Sequence, residues 1–89
     1  MEWMFQITYD RSNIRLKAKL VSSDEKFEIV KVIARNRTLT FKSNRPILLS
    51  KGLKHRKITW ELIEGVMNNM YLQKEITQHL GDYLRVYEK

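Results

Sequence analysis

The stretch "KGLKHRK", Lys51 to Lys57, sets Lys51, Lys54, Arg56 and Lys57 close together, with His55 among them. Ammonium and guanidinium groups offer charge and hydrogen-bond donors, but neither a nucleophile nor a base at neutral pH. The chemistry that such a cluster supports is anion capture. The wider window from Arg35 to Lys57 holds eight basic residues and no acidic one, while the net charge of the whole chain is +7. Charge this localised is an electrostatic footprint for a polyanion, and DNA or RNA is the expected partner. The competing reading is a solvated connector, or one that steers an acidic protein partner.

Groups with the makings of catalysis are sparse. His55 and His79 are the only histidines, and nothing in the sequence brings them together. There is no cysteine, no Gly-rich phosphate loop and no HExxH spacing. Ser50 and Lys51 are adjacent, which does not make a Ser/Lys dyad. Glu61 and Glu64 fall at an expected helix start, where the dipole accounts for them. The expectation is a binding protein and not an enzyme, with no cofactor, no metal and no small-molecule ligand.

Four strands and one helix must position these charges. In β-type alternation, Trp3, Phe5, Ile7 and Tyr9 share one face of a first strand. Ile14, Leu16, Ala18 and Leu20 point inward from a second strand, with Arg15, Lys17 and Lys19 outward. The third strand, "KFEIVKVIA", is apolar on both faces, with Phe27, Ile29 and Ile33 on the first and Val30, Val32 and Ala34 on the second. An internal strand covered on both sides would read this way, as would a bulge near Lys31. Leu39 and Phe41 point inward from a fourth strand, with Thr38, Thr40 and Lys42 outward.

After Ser43 the connector begins. Pro46 disfavours helix in the residue before it, and Ile47 to Leu49 are expected as a short extended segment. Ser50 to Leu53 suits a type II turn, with Gly52 at positive φ. Thr59 is the expected N-cap of a helix, with Ile58 and Ile63 as its hydrophobic staple. Basic side chains beside unpaired helix N–H groups would make a phosphate site. Trp60 is expected to pack against the sheet, with exposed stacking as the alternative. Leu62, Ile63, Val66, Met67 and Met70 form one stripe, and Leu72, Ile76, Leu80, Tyr83, Leu84 and Tyr87 another on a rotated face. That rotation predicts a bend near 68–71, and Gly81 is the expected end of the main helix.

Two resemblances enter at the connector. The run "RTLTFKSNRPILLSKGLKHRKITWELIEG", Arg37 to Gly65, resembles a segment shared by short, uncharacterised proteins of Bacteroidetes bacteria. It implies no activity and carries over no functional residue. The order ββββα, with "RKITW" (Arg56 to Trp60) at the strand-to-helix junction, is similar to the single-strand-binding transcriptional coactivator family. That resemblance implies a dimer gripping single-stranded nucleic acid with basic, curved sheets. The glycine-rich segments those proteins carry between strands are missing here.

The expectation is an α+β chain of 89 residues in one domain. A four-stranded antiparallel meander over about 3–43 leads through a basic connector, 44–58, to a helix over about 60–80 and a short helical tail, 82–88. Arg45, Lys51, Lys54, His55, Arg56 and Lys57 would meet nucleic-acid phosphates, with Arg15, Lys17, Lys19 and Lys42 extending the track across the outer sheet face. The strand aromatics all fall on the inward phase, so backbone contact is expected and not base stacking. Leu80, Tyr83, Leu84 and Tyr87 are the expected partner surface, with a homodimer as one occupant and the protein's own sheet as the other. The alternative function is a protein–protein interaction module or homodimeric structural protein with no nucleic-acid role. The N-terminus lacks a signal-peptide pattern, and no apolar run reaches the roughly 20 residues of a membrane helix. A soluble cytoplasmic protein with no membrane partner is expected.

Overall fold

The computed structural model describes residues 2–35, 37–53 and 56–86, without the side chains of 85 and 86. Its elements are β1 (Glu2–Tyr9), β2 (Ser12–Ser23), β3 (Glu28–Ala34), β4 (Arg37–Ser43), α1 (Arg45–Ser50), β5 (Trp60–Glu64) and α2 (Met70–Val86). The strands form one antiparallel sheet in the order β1-β2-β3-β4-β5. The α+β class is as expected, but the sheet has a fifth strand.

Each hairpin follows from local chemistry. Asp10 and Arg11 both take positive φ, 50° and 63°, as a two-residue hairpin whose twist matches that of its strands. Between β2 and β3, Asp24 Oδ1 accepts the backbone N–H groups of Lys26 and Phe27 at 2.8 and 2.7 Å. These two bonds, Phe27's the stronger, hold the Asp24 carboxyl below its usual range. The turn leaves Phe27 outside β3 and exposed. A bulge does occur, but in β2 between Leu20 and Ser22 and not at Lys31.

Alternation sends Trp3, Phe5, Ile7, Leu16 and Ala18 to one face. The β3 phase is the other way round from an inward Phe27: Val30 and Val32 are buried opposite Phe41 and Leu39, while Ile29 and Ile33 sit half-buried outside. Against the buried face lies α2, contributing Ile76, Leu80 and Leu84 to the same core. Spacings of four residues place these three on one helix face.

The expected helix start at Thr59 is a strand instead. Trp60 and Leu62 pair with Ser43 and Phe41, continuing the alternation of the sheet. Alternation and helical period cannot be told apart over a segment as short as "WELIE", and an open β4 edge decides the matter. The cap of α2 comes ten residues later. Asn69 Oδ1 accepts the N–H groups of Tyr71 and Leu72 at 3.0 and 3.2 Å. Pro46 does not prevent a helix either, because it sits in the first turn of α1, where its missing N–H is harmless. Gly52, at φ 69°, closes α1: its N–H bonds Leu49 O while the Leu53 N–H bonds Leu48 O, a Schellman arrangement. The positive φ is as expected, but its setting is a helix end.

Candidate functional site

One face of the sheet is covered by α2; on the other, Met4 and Lys19 are exposed, while Lys17, Lys31 and Lys42 are half-buried. On that outer face, register sets Lys19 directly opposite Lys31, with Lys17 opposite Ile33 and Lys42 opposite Ile29. Arg15 stands across from Gln6 on the same face. Like charges in direct cross-strand opposition are unfavourable by a few tenths of a kcal/mol to about 1 kcal/mol. The carboxylates on this face sit at its margins. Glu2 on β1 binds Lys17 at 2.7 Å, and that hydrogen bond foremost holds its carboxyl below the usual value. Glu61 and Glu64 lie on the opposite edge strand, β5. The centre of the face is basic.

At the connector end of this face, the Lys42 ammonium lies 4.1 Å from the centre of the Phe27 ring. Phe27 is therefore an exposed aromatic beside a cation, where alternation alone had placed it inward. The signal was in the sequence: an Asp three residues before Phe27 can bond that residue's own N–H and keep it in the turn. Lys31 was missed for the same reason, since inverting the β3 phase is what carries it to the outer face beside Lys19.

The connector charges divide. Lys51, Arg56 and Lys57 are exposed. Lys54 and His55 lie outside the described residues. No helix N-terminus follows this segment, because β5 does. Arg45 turns away from solvent: its Nε and Nη2 donate to the two oxygens of Glu28 at 2.6 and 2.7 Å. The Ser43 hydroxyl donates to the same carboxylate at 2.8 Å, and Glu28 is fully buried. Breaking such a pair from one side costs about 3–5 kcal/mol, so Arg45 anchors α1 to the sheet instead of meeting phosphate. The adjoining Asn44 Oδ1 accepts the Thr59 N–H at 2.8 Å, tying the connector's two ends together.

The expected partner surface on α2 faces the chain's own core. Leu80 and Leu84 are fully buried, and Tyr83 stacks on Trp3 at 4.1 Å between ring centroids. Tyr87 lies outside the described residues. Their burial follows from nine inward sheet side chains that need a cover. Trp60 packs edge-on against Phe41 at 6.5 Å, as expected of a ring with so much apolar area.

His79 sits inside the same core wall, stacked on Phe5 at 3.9 Å. Among the described residues no group of three His, Cys, Asp or Glu side chains is placed to hold a metal ion. None of their helices is long and apolar enough to cross a membrane. No protein-family model matches the chain, and comparison with curated proteins and with solved structures gives no match.

Proposed function

We propose that this protein binds nucleic acid through the outer face of its sheet, mainly by contact with phosphates. The observation that carries the reading is the Lys19–Lys31 pair, two lysines in direct cross-strand register on the outer face of the sheet. Glu2 stands across from Lys19 and Glu61 across from Lys42, but Lys31 faces Lys19 and Thr40, and the phosphate backbone of a nucleic acid would supply its counter-charge. Lys42 and Arg15 continue the track, and Lys51, Arg56 and Lys57 extend it at the connector end. Phe27 adds an exposed ring on which one base can stack, so the contact is not restricted to backbone. Single strands suit this arrangement, since an unpaired base reaches such a ring without disrupting a duplex.

The test is a titration of single- and double-stranded DNA and RNA at several salt concentrations. Contact with about four phosphates of a single strand gives a slope of log K against log salt of about −3. Lys19→Glu and Lys31→Glu should each weaken binding of all sequences alike and lower that slope by about 1. Phe27→Ala should cost about 1–3 kcal/mol on single strands and leave the slope alone. Negligible affinity at low salt, or parental affinity in both lysine variants, would remove the sheet face as the site.

A further inference from the structure

At the end of the sheet away from the connector, a cavity of about 660 Å³ opens between the sheet and the start of α2. That volume lies within the range of small-molecule sites, roughly 300–1,000 Å³. Its walls are apolar, built from Ile7, Leu16, Leu39, Met67, Leu72 and Ile76. A hydrogen bond holds one side in shape: Asn69 Nδ2 donates to the Tyr9 hydroxyl at 2.6 Å while Asn69 also caps α2.

Two further features concern the mouth. Val66 on its rim is 69% exposed, and Tyr71, whose ring lies 5.7 Å from that of the lining residue Tyr9, is 54% exposed. Apolar surface gathered at the opening of an apolar cavity gains by being covered. Arg35 and Arg37, which flank the β3–β4 turn, also line the cavity. Neither guanidinium is in an ion pair with a carboxylate among the described residues, although Asp10 stands on the same rim.

We propose that this cavity binds a small amphiphilic carboxylate. The apolar body of the ligand lies among Leu16, Leu39, Leu72 and Ile76, and its head group meets Arg35 and Arg37 at the mouth. Two guanidiniums against one carboxylate supply charge-assisted hydrogen bonds, and the apolar walls supply the remaining affinity. The site is separate from the outer sheet face, which is on the other side of the same strands.

The test uses decanoate as the probe, with its methyl ester as the uncharged comparison, on the full chain. Calorimetry gives affinity, and methyl resonances of Leu39, Met67, Leu72 and Ile76 report position. Decanoate is expected to bind saturably and shift those resonances. The ester should bind about tenfold more weakly or worse, the weight of one charge-assisted contact. The Arg35→Glu, Arg37→Glu double variant should lose a similar factor for decanoate and nothing for the ester, with an unchanged melting temperature. Ala34→Leu, which narrows the cavity from its wall, should weaken both ligands. Lys19→Glu should leave both affinities unaltered, which separates this site from the nucleic-acid reading. The proposal is overturned if no shift occurs at these methyls, or if ester and carboxylate bind equally. It also falls if the arginine variant binds decanoate as the parent does. Shifts of the same methyls with protein concentration alone would assign the mouth to a second copy of the chain, and likewise overturn it.

Discussion

His79 accepts the indole N–H of Trp3 on its Nε2 at 3.2 Å, so the ring must be neutral there for the bond to form. Burial pushes its pKa below the ordinary value of 6.5, against a smaller upward pull from Asp82. On acidification the unfolded chain takes up this proton first. The stabilisation is complete above the unfolded value and is lost as pH falls through the lowered folded value. Urea midpoints are therefore expected to drop between about pH 7.5 and pH 5.5. His79→Gln keeps an acceptor but cannot titrate, and its midpoint should change less over the same window. An equally steep decline in that variant would acquit His79. None of this was legible in the sequence, where His79 is a lone imidazole on a helix. Its role comes from Trp3, 76 positions away. Glu28 and Arg45 were hidden in the same way, since an arginine in a basic window gives no sign that one buried carboxylate will claim it.

Gly81 marks where reading single elements succeeds and fails. A glycine after an apolar stripe, followed by Asp82, is a reasonable helix stop. In the fold α2 runs through it to Val86, because Leu80 and Leu84 on either side are both required by the core. Tertiary burial outweighs the intrinsic helix penalty of glycine, about 1 kcal/mol. A methyl group at position 81 would meet only Trp60 Nε1, at 3.9 Å. Gly81→Ala should accordingly raise stability by about 0.5–1 kcal/mol in chemical denaturation. Gly65 makes the opposite case. It sits at φ 93°, and an added Cβ would come within 2.6 Å of Thr38 O. Gly65→Ala should destabilise by more than Gly81→Ala stabilises. If Gly81→Ala destabilises instead, the helix stops where the sequence suggested. β1, β2 and β4 were readable because alternation persists over seven to twelve residues in each, and β3 as an apolar β-branched run bounded by turns. β5 was not, since its five residues satisfy either period and its partner strand is what selects one.

Across the whole molecule, one sheet separates two chemically different sides: α2 and the cavity on the apolar side, lysines on the other. The basic character of the candidate site could be read directly from the chain, because charge density needs no fold. Its extension onto the outer sheet face was also legible through Arg15, Lys17, Lys19 and Lys42, but the places of Lys31 and Phe27 were not, since they depend on the β3 phase and β3 is apolar on both faces. The same sidedness settles what a truncation should do. A chain ending at Gly81 loses Tyr83 and Leu84, which read in sequence as a surface for a second copy. In the fold Leu84 is fully buried and Tyr83 stacks on Trp3, so their removal opens the core of a single chain. Loss of one buried leucine side chain alone costs about 2–5 kcal/mol, and a small domain holds only about 5–15 kcal/mol in all. The truncated chain should therefore melt much lower or fail to fold cooperatively. Leu84→Ala in the full-length chain should lose a comparable share without changing its elution in gel filtration. An altered elution with stability intact would instead make the terminal stripe an intermolecular surface, and the sheet would need another cover for Trp3 and Phe5.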